Sequence, residues 1–197
     1  MNDVSIFIGG VGGQGLVLMT KILSEAVAEI GFDVKTNDVV GLSQRGGKIW
    51  GSVKFGNKIY SPNILPSKAD YIVGLEPLEA YRWLNLLKQD GTCIINTSRI
   101  YPTMVTMEKM EYPENIESAF SNKGNLISVD ATDKSREFGN SKVANALILG
   151  ILAKSLDENY KLETSNFYTA IKNSIEKNAP SKALDLNFKV FDYGYNY

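Results

Sequence analysis

Histidine is absent from this chain, and cysteine occurs once, at Cys93. Each absence removes a class of chemistry. Without an imidazole the chain lacks the usual proton carrier of the neutral range, so most familiar hydrolase constellations are excluded and self-contained acid–base catalysis is not expected. One thiol cannot close an internal disulfide, hold an iron–sulfur cluster or complete a tetrahedral zinc site, so no metal ligand is assigned. Long apolar runs are missing as well. The longest nearly apolar stretch, Val143 to Ala153, contains Asn145 and reaches about half of the roughly 20 residues that span a bilayer. Neither charge is in excess: 21 basic against 22 acidic side chains give a formal net charge of −1. That balance leaves no bulk electrostatic attraction to nucleic acid or to an anionic membrane. No basic segment or cleavable apolar region precedes the first strand, and the cytoplasm is the expected compartment.

What the chain does carry is enough apolar matter for one core. With 44% hydrophobic residues in 197, a single globular domain over residues 1–197 is expected. Strand-like and helix-like patterns alternate, which argues for an α/β fold: a three-layer α/β/α sandwich with helices on both faces of the sheet. The apolar run Val4 to Ile8 reads as a strand. An amphipathic helix beginning at Leu16 follows, with Met19, Ile22, Leu23, Ala26, Val27 and Ile30 on one side and Gly31 placed to stop it. A second strand is expected near Phe32 to Thr36 and a third from Lys48 to Phe55. Gly56-Asn57-Lys58 reads as a hairpin turn into Ile59-Tyr60, which makes this part antiparallel and the mostly parallel sheet mixed. Further along come a buried strand at Ala69 to Leu75 and a helix opened by Glu76-Pro77 that carries Leu78, Tyr81, Arg82, Leu84 and Leu87. A strand at Gly91 to Asn96, a short helix at Pro113 to Phe120 and a strand at Leu126 to Asp130 follow. A largely buried helix at Ser141 to Leu156 and a last amphipathic helix at Ser165 to Lys177 complete the reading.

The joint between the first strand and first helix is Gly9-Gly10-Val11-Gly12-Gly13-Gln14-Gly15. Gly10, Gly12 and Gly15 satisfy G-x-G-x-x-G in the strand-to-helix setting where bare backbone amides and the positive end of a helix converge on an anion. Glycines in such a joint also allow a helix to pack tightly on a sheet with no ligand at all. A dinucleotide site further requires an acid at the end of the second strand to hold the ribose. That strand offers Lys35 and Thr36, and the first acid after them, Asp38, falls past its expected end, so the Rossmann-like start is incomplete.

A second constellation is Ser43-Gln44-Arg45-Gly46-Gly47. Following the second strand, this loop is expected at the same carboxyl edge as the glycine loop, where α/β folds bind ligands. Arg45 there suits a phosphate or carboxylate, Gly46 and Gly47 permit close backbone approach, and Ser43 and Gln44 add polar contacts. A solvated turn, or an arginine paired across a subunit interface, is the other reading.

Taken with the Gly139-Asn140-Ser141-Lys142-Val143-Ala144-Asn145 helix start, the two glycine motifs resemble the gamma-type domain of 2-oxoacid:ferredoxin oxidoreductases over most of the chain. That resemblance implies an accessory subunit of an enzyme complex that decarboxylates a 2-oxoacid oxidatively, indolepyruvate or another arylpyruvate among the candidates. It implies thiamine diphosphate and iron–sulfur clusters in a larger catalytic partner, ferredoxin as electron acceptor and release of an acyl-CoA. The chain has neither a Gly-Asp-Gly thiamine-diphosphate signature nor a cysteine cluster. The resemblance implies a domain beside the active site that helps accommodate coenzyme A; its phosphates suit Gly12, Gly13, Gln14 and Gly15 together with Arg45, Gly10, Ser43, Gln44, Gly46 and Gly47 complete the expected cofactor-binding residues, and no catalytic residue is assigned.

Three further features stay open. The last ten residues hold Phe188, Phe191, Tyr193, Tyr195 and Tyr197, which suits an interface or a tail folded back on its own sheet. Asn145, in an apolar helix, caps a neighbouring loop or faces a ligand, and Glu76 touches a site or favours its helix N-terminus. A stand-alone NAD(P)-dependent oxidoreductase and a ligand-free scaffold are the competing functional classes.

Overall fold

The computed structural model describes residues 3–39, 47–101, 112–113, 116–162 and 165–197. Strand β1 (Val4–Val11) is central, and around it lie β2 (Asp33–Val39), β3 (Lys48–Gly56), β4 (Ala69–Gly74), β5 (Leu87–Asn96) and β6 (Asn125–Val129), in the order β2-β3-β1-β4-β5-β6. Neighbours from β1 through β4 and β5 to β6 run parallel, whereas β3 lies antiparallel to both β1 and β2. The sheet is mixed and mostly parallel, as expected.

Helices cover both faces: α1 (Leu16–Glu29), α2 (Pro77–Tyr81), α3 (Ile116–Ser121), α4 (Ala131–Glu137), α5 (Ala144–Asn159), α6 (Phe167–Asn178) and α7 (Leu184–Tyr195). Because side chains alternate along a strand, Val4, Ile6 and Ile8 enter a core with Leu23, Leu147, Ile171 and Phe191. Phe7, between them, enters the opposite core with Ile72, Leu78, Ile95 and Phe120. Every residue of β1 is buried, which is what coverage on two faces demands.

Helix α1 buries Leu16, Met19, Thr20, Ile22, Leu23, Ala26 and Val27, the stripe that its spacing predicts. Gly31 ends it at φ +95°. In that left-handed turn the Gly31 and Phe32 amides donate to the Ala28 and Val27 carbonyls, satisfying the last turn.

Four expectations need correction. No strand forms at Ile59-Tyr60; the Ile59 amide instead donates to the Asp33 carboxylate at 2.8 Å, and the antiparallel part of the sheet comes from β3 pairing with β2 and β1. Helix α2 stops at Tyr81, and Leu84 lies in a 3-10 turn. Leu87 already belongs to β5, where it pairs with Ala69 across a register shift. Helix α4 is absent from the expected elements, because its sequence buries only Ala131 and Ser135 and shows no apolar stripe; Asp130 starts it by accepting the Asp133 amide at 2.8 Å. Finally, the aromatic C-terminus is not a tail but a helix, α7.

Helix α7 folds back on α5 at van der Waals range. A Cβ on Gly150 would collide with the Phe191 carbonyl, and one on Gly194 with the Leu147 carbonyl, so only glycines allow this crossing. Phe191 is fully buried there, and beyond the helix the Tyr197 hydroxyl donates to the Ser128 carbonyl of β6 at 3.2 Å.

Candidate functional site at the carboxyl edge

Strand order reverses direction at β1: the chain leaves it towards β2 and β3 on one side and returns to β4 and β5 on the other. In open α/β sheets the crevice at such a switch point, outside the carboxyl ends of the strands, is where ligands bind. The joint from β1 to α1 lies there, as does the turn after β4, which is fixed by the Leu75 amide donating to the Gly9 carbonyl at 2.8 Å.

Within the glycine loop the donors divide into two sets. The Gly12 amide donates to the Gly47 carbonyl at 2.8 Å and the Gln14 amide to the Val11 carbonyl at 3.1 Å, so both are engaged inside the protein. Gly13 and Gly15 are exposed, adopt φ +101° and +78°, and carry no side chain over the start of α1, whose first turn has no side-chain cap. These left-handed positions are the ones that require glycine. They leave the helix N-terminus open to an anion.

Gln14 turns the other way. Its Oε1 accepts the Val11 amide at 2.7 Å and its Nε2 donates to the Leu75 carbonyl at 2.8 Å, spanning the gap between the ends of β1 and β4. Gly10 lies directly beneath, where a Cβ would sit 3.0 Å from Gln14 Oε1. Two more side-chain amides brace the same point. Asn96, 3% exposed at the end of β5, donates to the Leu75 carbonyl at 3.3 Å and accepts the Ala131 amide at 3.1 Å. Asn145, at the start of α5, donates to the Gln14 carbonyl at 2.7 Å. Of the two roles open for Asn145, the structure shows it capping the neighbouring loop.

Ser43, Gln44, Arg45 and Gly46 lie outside the described residues. The ends of their loop do not: Val39 closes β2, opposite Trp50, and Lys48 opens β3, opposite Val11, both at the carboxyl edge. Gly47 is tied to Gly12 as above. Asp38 lies on β2, one residue before its end, rather than past it. Even so it does not reach the crevice, because β3 separates β2 from β1. Its carboxylate instead accepts the Thr20 hydroxyl of α1 at 2.9 Å.

Behind the turn after β4 stands a carboxylate pair. Glu76, fully buried, caps α2 by accepting the Glu79 amide at 3.0 Å, and its other oxygen accepts the Tyr112 hydroxyl at 2.7 Å. Burial, reinforced by that carboxylate, pushes the Tyr112 hydroxyl well above its ordinary range, so it stays a donor. Glu79 is 3% exposed. Its Oε1 meets Arg82 Nε at 3.3 Å, while its Oε2 has no hydrogen-bond partner among the described residues. Desolvation raises the Glu79 pKa above the ordinary carboxylate value, opposed by Arg82 and helped by the Glu76 charge. The sequence motifs do not single out Glu79 or Asn96; the available signals were a second acid one turn past a helix cap and an amide ending an apolar strand.

Among the described residues no group of three or more potential metal-ligating side chains occurs, and no helix is long and apolar enough to cross a membrane. Cys93 lies fully buried in β5, where desolvation pushes its thiol up to about 12.

Comparison with known proteins identifies the lineage. The family profile described as pyruvate ferredoxin/flavodoxin oxidoreductase matches residues 5–197. Indolepyruvate oxidoreductase subunit IorB of Pyrococcus horikoshii is 33% identical over 98% of this chain and 95% of its own length. The protein of the same name from Thermococcus kodakarensis is 32% identical over the same shares. Among solved structures, the pyruvate oxidoreductase subunit PORC of Thermotoga maritima superposes with a TM-score of 0.73 at 22% identity, over all of this chain and 97% of that one. The 2-oxoglutarate:ferredoxin oxidoreductase of Magnetococcus marinus, with 2-oxoglutarate, coenzyme A and succinyl-CoA bound, gives 0.70 at 17% identity over all of this chain and 31% of that one. Those structural likenesses speak for the fold, and with the match along almost the whole sequence the chain belongs to the pyruvate ferredoxin/flavodoxin oxidoreductase family, as a small subunit of 2-oxoacid oxidoreductase type.

Proposed function

We propose that this chain is the accessory subunit of a cytoplasmic 2-oxoacid:ferredoxin oxidoreductase whose substrate is indolepyruvate or another arylpyruvate. Residues 1–197 act as one domain beside a larger catalytic partner. The observation that carries the proposal is the end-to-end match to the IorB subunits, at 33% identity for the Pyrococcus protein. Substrate identity follows their name.

The residues fit the division of labour. An iron–sulfur cluster needs several thiolates, and the one cysteine here is buried and protonated. The clusters and the thiamine diphosphate are therefore assigned to the partner. There they would supply the decarboxylation chemistry and the electron path to ferredoxin, while the acyl group leaves on coenzyme A. The task left to this chain is to bind and orient. Gly13 and Gly15 offer uncapped backbone at the start of α1 for a phosphate of coenzyme A. Gly10 and Gly12 shape the loop. Ser43, Gln44, Arg45, Gly46 and Gly47 are the second set of coenzyme A residues in this reading, with Arg45 as the bidentate phosphate ligand.

Purification of the native complex through a tag on this chain, followed by cofactor analysis, tests the assignment. A large polypeptide with thiamine diphosphate and iron–sulfur clusters is expected to accompany it. Recovery of the chain alone, or with bound nicotinamide cofactor, would overturn the reading. Within the complex, Arg45→Ala is expected to raise the KM for coenzyme A about tenfold; an unchanged KM would remove Arg45 from the site.

A further inference from the structure

We infer that Gln14 is a specificity-determining residue: its side chain closes the gap between β1 and β4 against a diphosphate inserted between the strands, and positions the glycine loop to present Gly13 and Gly15 outward. The inference rests on the reading of that loop as a coenzyme A edge, and it separates this site from a dinucleotide site built on the same motif.

In a dinucleotide fold the pyrophosphate enters between the carboxyl ends of the two strands flanking the switch point and takes the amides of the glycine turn. Here those strands are β1 and β4, and the groups a pyrophosphate would use are occupied. The Val11 amide is held by Gln14 Oε1 at 2.7 Å, and the Gly12 and Gln14 amides by the Gly47 and Val11 carbonyls. The Leu75 carbonyl receives Gln14 Nε2 at 2.8 Å and Asn96 Nδ2 at 3.3 Å, so the β4 end has become a saturated acceptor. Removing Gln14 from the gap would break two bonds and leave a backbone amide unpaired. A dinucleotide must meet that cost before it gains any contact. The ribose acid is missing as well, since Asp38 is held by Thr20 one strand away.

The same bonds have a constructive side. Gln14 stands between Gly13 and Gly15, and its side chain and carbonyl are both fixed, the carbonyl by Asn145 at 2.7 Å. The two flanking glycines must then take positive φ and turn their backbone away from the sheet. A phosphate can approach this loop only along its outer rim, from the side of α1. A phosphate carried by a ligand that extends away from the sheet satisfies that geometry; a dinucleotide threaded between strands does not.

The assembled complex carries the test, with Gln14→Ala, Gln14→Glu and Asn145→Ala variants. Gln14→Ala is expected to raise the KM for coenzyme A about tenfold while the KM for the 2-oxoacid stays within about twofold. Gln14→Glu keeps the acceptor for Val11 but sets a carboxylate oxygen against the Leu75 carbonyl, acceptor against acceptor, so its rise is at least that of Gln14→Ala. Asn145→Ala leaves both Gln14 side-chain bonds in place and gives about a threefold rise, which keeps the inference testable if Gln14→Ala misfolds. ADP-ribose titrated against the wild-type complex saturated with coenzyme A, whose own ADP half would otherwise share its site, is expected to show no binding below millimolar concentration. Micromolar binding of ADP-ribose to the saturated complex would overturn the closed crevice. A folded Gln14→Ala complex with unchanged KM would overturn the positioning role, and if Arg45→Ala is also silent, the coenzyme A reading itself fails.

Discussion

The turns that follow β1 and β4 stand side by side at one sheet edge and are built by opposite means. In the loop after β1, the neutral amides of Gln14 and Asn145 engage the Val11 amide and the Gln14 carbonyl, and Gln14 reaches across with Asn96 to the Leu75 carbonyl. After β4, two buried carboxylates share α2, and one of their oxygens is left without a partner among the described residues. The first turn is a frame whose every bond resists opening. The second holds an ionisable group whose charge the fold does not fully compensate. A neutral polar group with partners stabilises, whereas a buried anion short of one favours protonation or an incoming cation.

Replacing members of each set should therefore move stability in opposite directions. Asn96→Ala is expected to have the largest effect, a loss of about 2–3 kcal/mol in denaturant unfolding, because it orphans the Ala131 amide and empties a buried polar site. Gln14→Ala, in a half-buried position, should cost about 1–2 kcal/mol by the same measure. Glu79→Gln should do the reverse: at neutral pH it keeps the shape, removes the uncompensated charge and leaves the protein unchanged or about 1 kcal/mol more stable. A loss of more than about 2 kcal/mol in that variant would show that the ion pair with Arg82 outweighs the desolvation of the Glu79 anion.

The pH dependence sharpens the contrast further. Since the folded state raises the Glu79 pKa, the folded protein holds that proton more tightly than the unfolded chain does. Its stabilising contribution is present below the ordinary carboxylate value and is lost as pH rises through the raised one. Thermal unfolding across that interval should thus show a decline in the wild type that Glu79→Gln reduces and Gln14→Ala does not. The smallest effect belongs to Cys93, whose buried thiol should resist alkylation at neutral pH until the protein unfolds.

Periodicity makes part of this molecule legible in the sequence itself. The stripe from Leu16 to Val27 can bury only as a helix, and Gly31 can end it, so α1 and the strand ahead of it follow from local rules. Helix α4 is silent because a helix held by Asp130 and by packing of Ala131 and Ser135 needs no apolar stripe. The turn residues Gly56 to Lys58 suggest a hairpin, yet Ile59 finds its acceptor in the Asp33 side chain instead of a strand. At the site, glycine spacing locates the loop, but not the inward turn of Gln14. That turn depends on Leu75, 61 residues away, arriving beside Val11, and no local pattern encodes such an encounter. Asp38 illustrates the same limit: its place near the end of a strand is local, whereas the antiparallel β3 that removes it from the crevice is a matter of topology.

Reconstitution tests the division of labour between this chain and its partner most directly. The purified chain, the large subunit proposed to carry thiamine diphosphate and iron–sulfur clusters, and the two together would be assayed for ferredoxin reduction with indolepyruvate and coenzyme A, and the chain alone for NAD(P) reduction. Activity only in the mixture, with none from this chain by itself, is the predicted result. Turnover of a nicotinamide cofactor by the chain alone, or full activity of the large subunit without it, would contradict it.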